Sequence, residues 1–285
     1  MKYQKIVIVG APRSGTNMLR DILCSLDGIS TWPCDEINYI WRHGNIGCTS
    51  DEIPVSLATP AIKRYINKSF NLIQKKTKSN VIIEKTCANS LRVPFVDQVI
   101  PDAKYIFIVR DGVDVAGSAA MRWKAKLDLS YIVKKVRYVP LLDIPYYALR
   151  YLGSRAYKFF SSEQRLSFWG PSYIGLNKDL KQHSLDEICA LQWKHCVDSS
   201  SESFSSMPQD KVIKTSYESF VKNPIIELRK ILEFCNIPFD DGSIKKSVAG
   251  VTKNSVGKGR SSLDERSIKN IENLISGTLK NNGYL

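Results

Sequence analysis

The sequence predicts an α/β fold of three layers, with a central parallel sheet covered by helices on both faces. Apolar, β-rich runs recur at residues 5–9, 80–84, 104–110 and 211–215, and segments of helical spacing lie between them. Alternation of this kind favours parallel strands joined by crossover helices. With 285 residues the chain is long enough to bury a full core, at the upper edge of a single domain.

The first strand runs into a loop bounded by Gly10 and Gly15, which opens a helix at 14–26. A second helix is expected at 61–76. Another, at 89–100, carries Leu91, Phe95, Val96 and Val99 on one face, and Pro94 should shorten or kink it. The strand at 104–110 leads almost directly into a helix at 113–123. Ser184, with Glu187 three residues on, caps an amphipathic helix at 184–204. Pro224 opens a helix at 224–235, and a last helix is expected at 264–279. The stretch 131–173 breaks this rhythm: it is basic and rich in Tyr and Pro. It reads as an insertion, at about 124–183, in one domain spanning 1–285. Two roles suit it, an aromatic patch packed on the core or a lid and acceptor-binding surface.

Hydrophobic residues make up 43% of the chain and charged residues 24%, ordinary values for a globular protein. The N-terminal apolar run, 6–9, is too short for a signal peptide, and no stretch has the ~18 apolar residues that a bilayer span requires. The seven Cys are scattered, without a C-x-x-C pair, and the three His lie at no ligand spacing near them. Zinc is not expected, and reduced thiols in a cytoplasmic protein are. The net charge of +13 is concentrated at 122–181, where twelve Lys and Arg face four Asp and Glu. Nucleic acid, an anionic cofactor, an acidic glycan and a membrane surface all suit such a balance.

Four constellations carry chemistry. Gly10 and Gly15 have the spacing of a phosphate-binding loop, where backbone N–H groups and a helix N-terminus meet an anion. The sequel is wrong for a nucleoside triphosphatase: Thr16 and Asn17 stand where that motif has Lys and then Ser or Thr. Arg13 supplies the positive charge instead, which suits a phosphate bound without a metal. At the carboxyl end of the 104–110 strand, Arg110 with Ser118 forms a second oxyanion site; a structural ion pair is the plainer reading. Glu84 and Lys85 end another strand, as a proton acceptor and charge stabiliser or as a terminating ion pair. The loop Ser255–Arg260 spaces Lys258 and Arg260 with Gly257 and Gly259, able to wrap a phosphate or simply solvated.

Taken in this order, the segments resemble the sulfotransferase family that uses 3′-phosphoadenosine 5′-phosphosulfate (PAPS), and the resemblance runs almost end to end. Pro12-Arg13-Ser14-Gly15-Thr16 is similar to that family's 5′-phosphosulfate loop. Residues 105–118, YIFIVRDGVDVAGS, are similar to its 3′-phosphate strand–helix motif. The Gly257–Arg260 loop resembles the late loop that closes over the nucleotide, and Tyr217-Glu218-Ser219-Phe220 with Asn223-Pro224 a structural segment.

The resemblance implies the P-loop-like sulfotransferase fold and the residue roles. Pro12, Arg13, Ser14, Gly15, Thr16 and Asn17 would hold the 5′-phosphate and sulfate. Arg110 and Ser118 would hold the 3′-phosphate, with Lys258, Gly259 and Arg260 completing that end. No metal is implied. Small-molecule members place a His soon after a Lys-Thr pair, whereas here Lys85-Thr86 is followed by Cys87. The stretch is closer to the "EKT" of glycan sulfotransferases, which implies Glu84 as base, with Lys85 and Arg13 stabilising charge. Glu36 is the alternative base and His43 a weaker one. Gly259 departs from the Trp that relatives often carry. The implied acceptor is a carbohydrate or glycolipid hydroxyl, with a peptide tyrosyl or small-molecule hydroxyl as the alternative. Nucleic acid is not an expected partner; peripheral contact with an anionic membrane is. The rival classes are a nucleotide kinase and a non-catalytic polyanion binder.

Overall fold

The computed structural model of the protein describes residues 3–123, 139–140, 143–149, 152–153 and 169–285. Five strands form one parallel sheet: β1 (Gln4–Val9), β2 (Ile29–Ser30), β3 (Val81–Lys85), β4 (Lys104–Val109) and β5 (Val212–Ser216), in the spatial order β2-β3-β1-β4-β5. Helices among the described residues include α1 (Thr16–Cys24), α2 (Asn38–Arg42), α3 (Pro60–Thr77), α4 (Val93–Val99), α5 (Gly112–Trp123), α6 (Leu176–Asp179), α7 (Leu185–Ser205), α8 (Tyr217–Lys222), α9 (Pro224–Cys235), α10 (Asp241–Val248), α11 (Glu265–Leu274) and α12 (Ser276–Asn281).

Strand alternation divides the apolar residues between two cores. Val7, Val9, Tyr105, Phe107 and Val109 face one side, packed with α3, α4, α5, α7 and α11. Ile6, Ile8, Ile106 and Ile108 face the other, packed with α1, α8, α9 and α10. The three-layer α/β architecture expected from the sequence is therefore present. Because every strand runs the same way, the loops after β1, β3, β4 and β5 leave at one edge, where ligands bind in open parallel sheets.

Several expectations are refined. The helix expected at 89–100 is a 3₁₀ turn, Cys87–Leu91, followed by α4, whose second residue is Pro94. The final helix divides at Ile275 into α11 and α12. β2 has only two residues and leaves no periodic signature. α7 starts at the expected capping box, with Ser184 Oγ accepting from the Glu187 N–H and the Glu187 carboxylate from the Ser184 N–H. The insertion expected at about 124–183 lies largely outside the described residues.

Candidate active site

The loop after β1 turns sharply into α1. Gly15, the N-cap of α1, has φ +89°, and a Cβ there would lie 2.5 Å from the Tyr217 ring, so only glycine fits. Arg13 also takes a left-handed conformation, φ +70°, unusual for a residue with a side chain. Its Nε donates to Ser118 Oγ at 3.0 Å, and its carbonyl accepts from Arg110 Nη1 at 2.9 Å. The loop after β1 and the segment after β4, about a hundred residues apart in sequence, thus touch directly. Tyr217 underlies both: the Arg110 guanidinium sits 4.4 Å over its ring. Trp193 of α7 fixes the backbone of Arg110, its Nε1 donating to the Arg110 carbonyl at 3.0 Å.

Charge in this cradle is not balanced locally. Burial, then Arg122 and Arg110, depress the pKa of the Arg13 guanidinium, and among the described residues no carboxylate pairs with Arg13. Ser14 is fully buried and its Oγ has no partner among the described residues. A buried hydroxyl and a cation crowded by two other guanidinium groups are features that suit an anion.

Arg110 is clamped by Asp114, whose carboxylate also accepts the N–H groups of Gly257, Gly259 and Arg260. That bond places the late loop beside Ser118. Within the loop Lys258 is exposed. The Arg260 side chain turns to Glu272 and lies 3.8 Å from Asp111, so only its backbone N–H meets the Arg110 cluster.

The base candidates fall into different places. Neighbouring residues of a strand point to opposite faces, so the side chains of Glu84 and Lys85 lie on opposite sides of the sheet. Glu84 is fully buried, held by Asn89 Nδ2 at 2.8 Å. Burial raises its carboxyl to about 7 against the opposing pull of Thr86, Trp41 and Arg92. It belongs to a buried network in which Asn89 and Asn38 bind Arg92, and Asp51 binds Arg42. Burial lowers Arg92 to about 10, against the attraction of Asp51.

Lys85, on the other face, meets Glu36 Oε1 at 3.1 Å and Asp35 Oδ1 at 3.3 Å. Burial opposes its charge, but Glu36 and Asp35 outweigh that and hold its pKa above the ordinary range. The Cys87 N–H approaches the same Glu36 oxygen at 3.4 Å, and Cys87 Sγ lies 3.7 Å from Thr16 Oγ1 of the phosphate loop. Glu36, Lys85 and Thr16 are thus joined through short contacts. The strut is rigid: Thr86 Oγ1 accepts the Ile37 N–H, and Arg20 of α1 grips Asp35. Glu36 keeps 25% of its side chain exposed, whereas Glu84 keeps none. His43 hydrogen-bonds Asp143 at 2.8 Å and packs on Tyr65.

Sequence reading passed over Asp35 and Asp114. Asp114 is four residues beyond Arg110, in the first turn of α5, a spacing that lets the two pair. Asp35 has no such mark, because its partners Arg20 and Lys85 come from other elements.

The family model described as the sulfotransferase domain matches residues 3–281. The chain belongs to the sulfotransferase family. Solved structures agree with the fold of this sulfotransferase at low identity. The sulfotransferase domain from the curacin biosynthetic pathway superposes with a TM-score of 0.56 and 13% identity, covering 97% of this chain and 99% of that one. Sulfotransferase STF9 from Mycobacterium avium gives 0.55 and 11%, over 99% and 77% of the two chains. Mouse sulfotransferase SULT7A1, solved with 3′,5′-bisphosphoadenosine (PAP), gives 0.53 and 15%, over 99% and 86%. No curated protein matches the chain.

Proposed function

We propose that this sulfotransferase takes its sulfuryl group from PAPS and passes it to an acceptor hydroxyl, with Glu36 as the base. The observation that carries the reading is the contact of Arg13 with both Ser118 and Arg110. It makes one continuous cradle for an adenosine bearing anions at its 5′ and 3′ ends. The orphaned Ser14 Oγ and the crowded Arg13 fit such a ligand.

PAPS, when bound, supplies a sulfur–oxygen bond whose cleavage releases a phosphate. Glu36 accepts the acceptor's proton as the new oxygen–sulfur bond forms. Lys85, 3.1 Å from Glu36, pairs with that carboxylate and brings a positive charge to the reacting group. The S–O electron pair would stay on the leaving phosphate oxygen, where Arg13 and the N–H groups opening α1 would stabilise its charge. Arg110, Ser118 and Lys258 hold the 3′ end. Pro12, Thr16 and Asn17 shape the 5′ end, and Gly259 gives the late loop its close seat.

A carbohydrate or glycolipid hydroxyl is the acceptor class we favour. The support is a carboxylate base, with Cys87 standing where small-molecule members place a His. A basic 124–183 segment suits an acidic glycan. Peripheral contact with anionic lipid has its own support: Leu149 and Leu152 are 72% and 63% exposed within that basic stretch. No helix among the described residues is long and apolar enough to cross a membrane. One sheet with both faces covered supports reading 1–285 as one catalytic domain.

Turnover with labelled PAPS across a glycan and glycolipid panel tests the assignment. Sulfation of at least one acceptor, lost in Glu36→Gln, is expected; labelled transfer to none of them contradicts the acceptor class. Flotation with anionic liposomes tests the lipid contact, and absence of any association removes it.

A further inference from the structure

Asp114 carries an arrangement that none of the binding motifs assigns. It lies in the first turn of α5 and is 1% exposed. Its Oδ2 accepts from Arg110 Nε at 2.9 Å, from Arg110 Nη2 at 2.5 Å and from the Gly257 N–H at 3.0 Å. Its Oδ1 accepts from the Gly259 N–H at 2.6 Å and the Arg260 N–H at 3.2 Å. Three N–H groups from one loop and a guanidinium fork form an anion nest, and here the protein supplies the anion itself.

The backbone is built for this closeness. A Cβ on Gly259 would lie 1.8 Å from the Asp114 carbonyl oxygen and 2.8 Å from the Ser118 nitrogen. One on Gly117 would lie 2.1 Å from the Gly259 carbonyl oxygen. Two glycines therefore let the loop lie flat on α5, and this explains the small residue at 259. Arg110 also donates to the Ser255 carbonyl of the same loop and, at 2.9 Å, to the Arg13 carbonyl. One carboxylate thus joins the late loop, α5 and the phosphate loop.

We propose that Asp114 is a positioning residue for the 3′-phosphate end of the donor site. It pins residues 257–260 to α5, sets the Arg110 fork, and brings Lys258 to the side of Ser118. The site is then assembled before the nucleotide arrives, and the ordering cost of the loop is not charged to binding. The proposal rests on the PAPS reading and deepens it, by making selectivity for a 3′-phosphorylated nucleotide depend on this carboxylate.

Asp114→Asn is isosteric but turns an amide donor toward Arg110 and the loop N–H groups. Without nucleotide, trypsin should cut after Lys258 about tenfold faster than in wild type, with other sites and the circular dichroism unchanged. By calorimetry, PAP affinity should fall about tenfold or more, the worth of a charge-assisted hydrogen bond, while 5′-AMP changes by less than about threefold. The KM for donor should rise while kcat at saturating donor is retained. A folded Asp114→Asn protein with native cleavage after Lys258 and a native PAP-to-AMP ratio overturns the proposal. If wild type itself does not distinguish PAP from 5′-AMP, the PAPS reading fails, and the proteolysis arm still decides the pinning. Should Asp114→Asn not fold, Gly259→Ala displaces the loop with the carboxylate intact; the same pattern is expected, and native behaviour overturns the proposal.

Discussion

Glu36 and Glu84 show how far environment separates two identical side chains. Glu36 meets the Lys85 ammonium and stays partly exposed. Glu84 is sealed in the core, with a pKa of about 7. Glu36→Gln should lower turnover by about 10²–10⁴-fold, the usual weight of a general base, with PAP affinity retained by calorimetry. Glu84→Gln should keep most of its turnover; if it loses as much as Glu36→Gln, the base assignment reverses.

Glu84 also makes a stability prediction. Its folded pKa lies above the unfolded value of 4.5, so the native state holds the proton more tightly. Its contribution is fully present below about 4.5 and is lost as pH rises through about 7, for a total of roughly 3 kcal/mol at ~1.4 kcal/mol per pH unit. Melting temperatures at pH 5 to 8 should show wild type falling relative to Glu84→Gln. A constant gap between the two contradicts the burial account.

At the scale of elements, the phosphate loop depends on one backbone conformation. Gly15→Ala places a methyl against Tyr217 at a left-handed φ, and should weaken PAP binding about tenfold or more while the sheet stays folded. Ser184→Ala is the contrast: it removes the cap of α7 far from the cradle, and should cost about 1 kcal/mol in denaturant unfolding without changing turnover. A Gly15→Ala protein with native PAP affinity contradicts the loop geometry described here.

The elements were legible in the sequence wherever a period was long enough. β1, β4, α7 and α9 announce themselves by apolar runs, a capping box and an early Pro. β2 and α2, with two and five residues, carry no period, and their place is set by tertiary contacts. The segments that carry Arg13, Arg110 and Ser118 were legible, because they sit in motifs tied to strand ends, and the structure brings them into contact. The surroundings of Lys85 were not. Adjacency suggested Glu84 with Lys85, but strand alternation parts them, and only the fold brings Glu36, forty-nine positions away in the chain, to that lysine.

For the whole molecule, parallel strand direction is what makes one site from distant segments. The ends of β1, β3 and β4 share an edge, α8 rises under it to offer Tyr217, and α5 with the late loop closes one side through Asp114. The sulfotransferase assignment follows from the family match; the proposed donor rests on the charge arrangement at this edge. Net charge alone, at +13, would attract any polyanion, with strong salt dependence. A shaped cradle must instead distinguish ligands that differ by one phosphate.

Calorimetric titration of wild-type protein with PAP and with 5′-AMP, in the same buffer and at physiological salt, tests that claim most directly. PAP should bind at least about tenfold more tightly, since the 3′-phosphate gains charge-assisted bonds from Arg110, Ser118 and the late loop. Equal affinity for the two nucleotides, or no binding of PAP, would contradict the account.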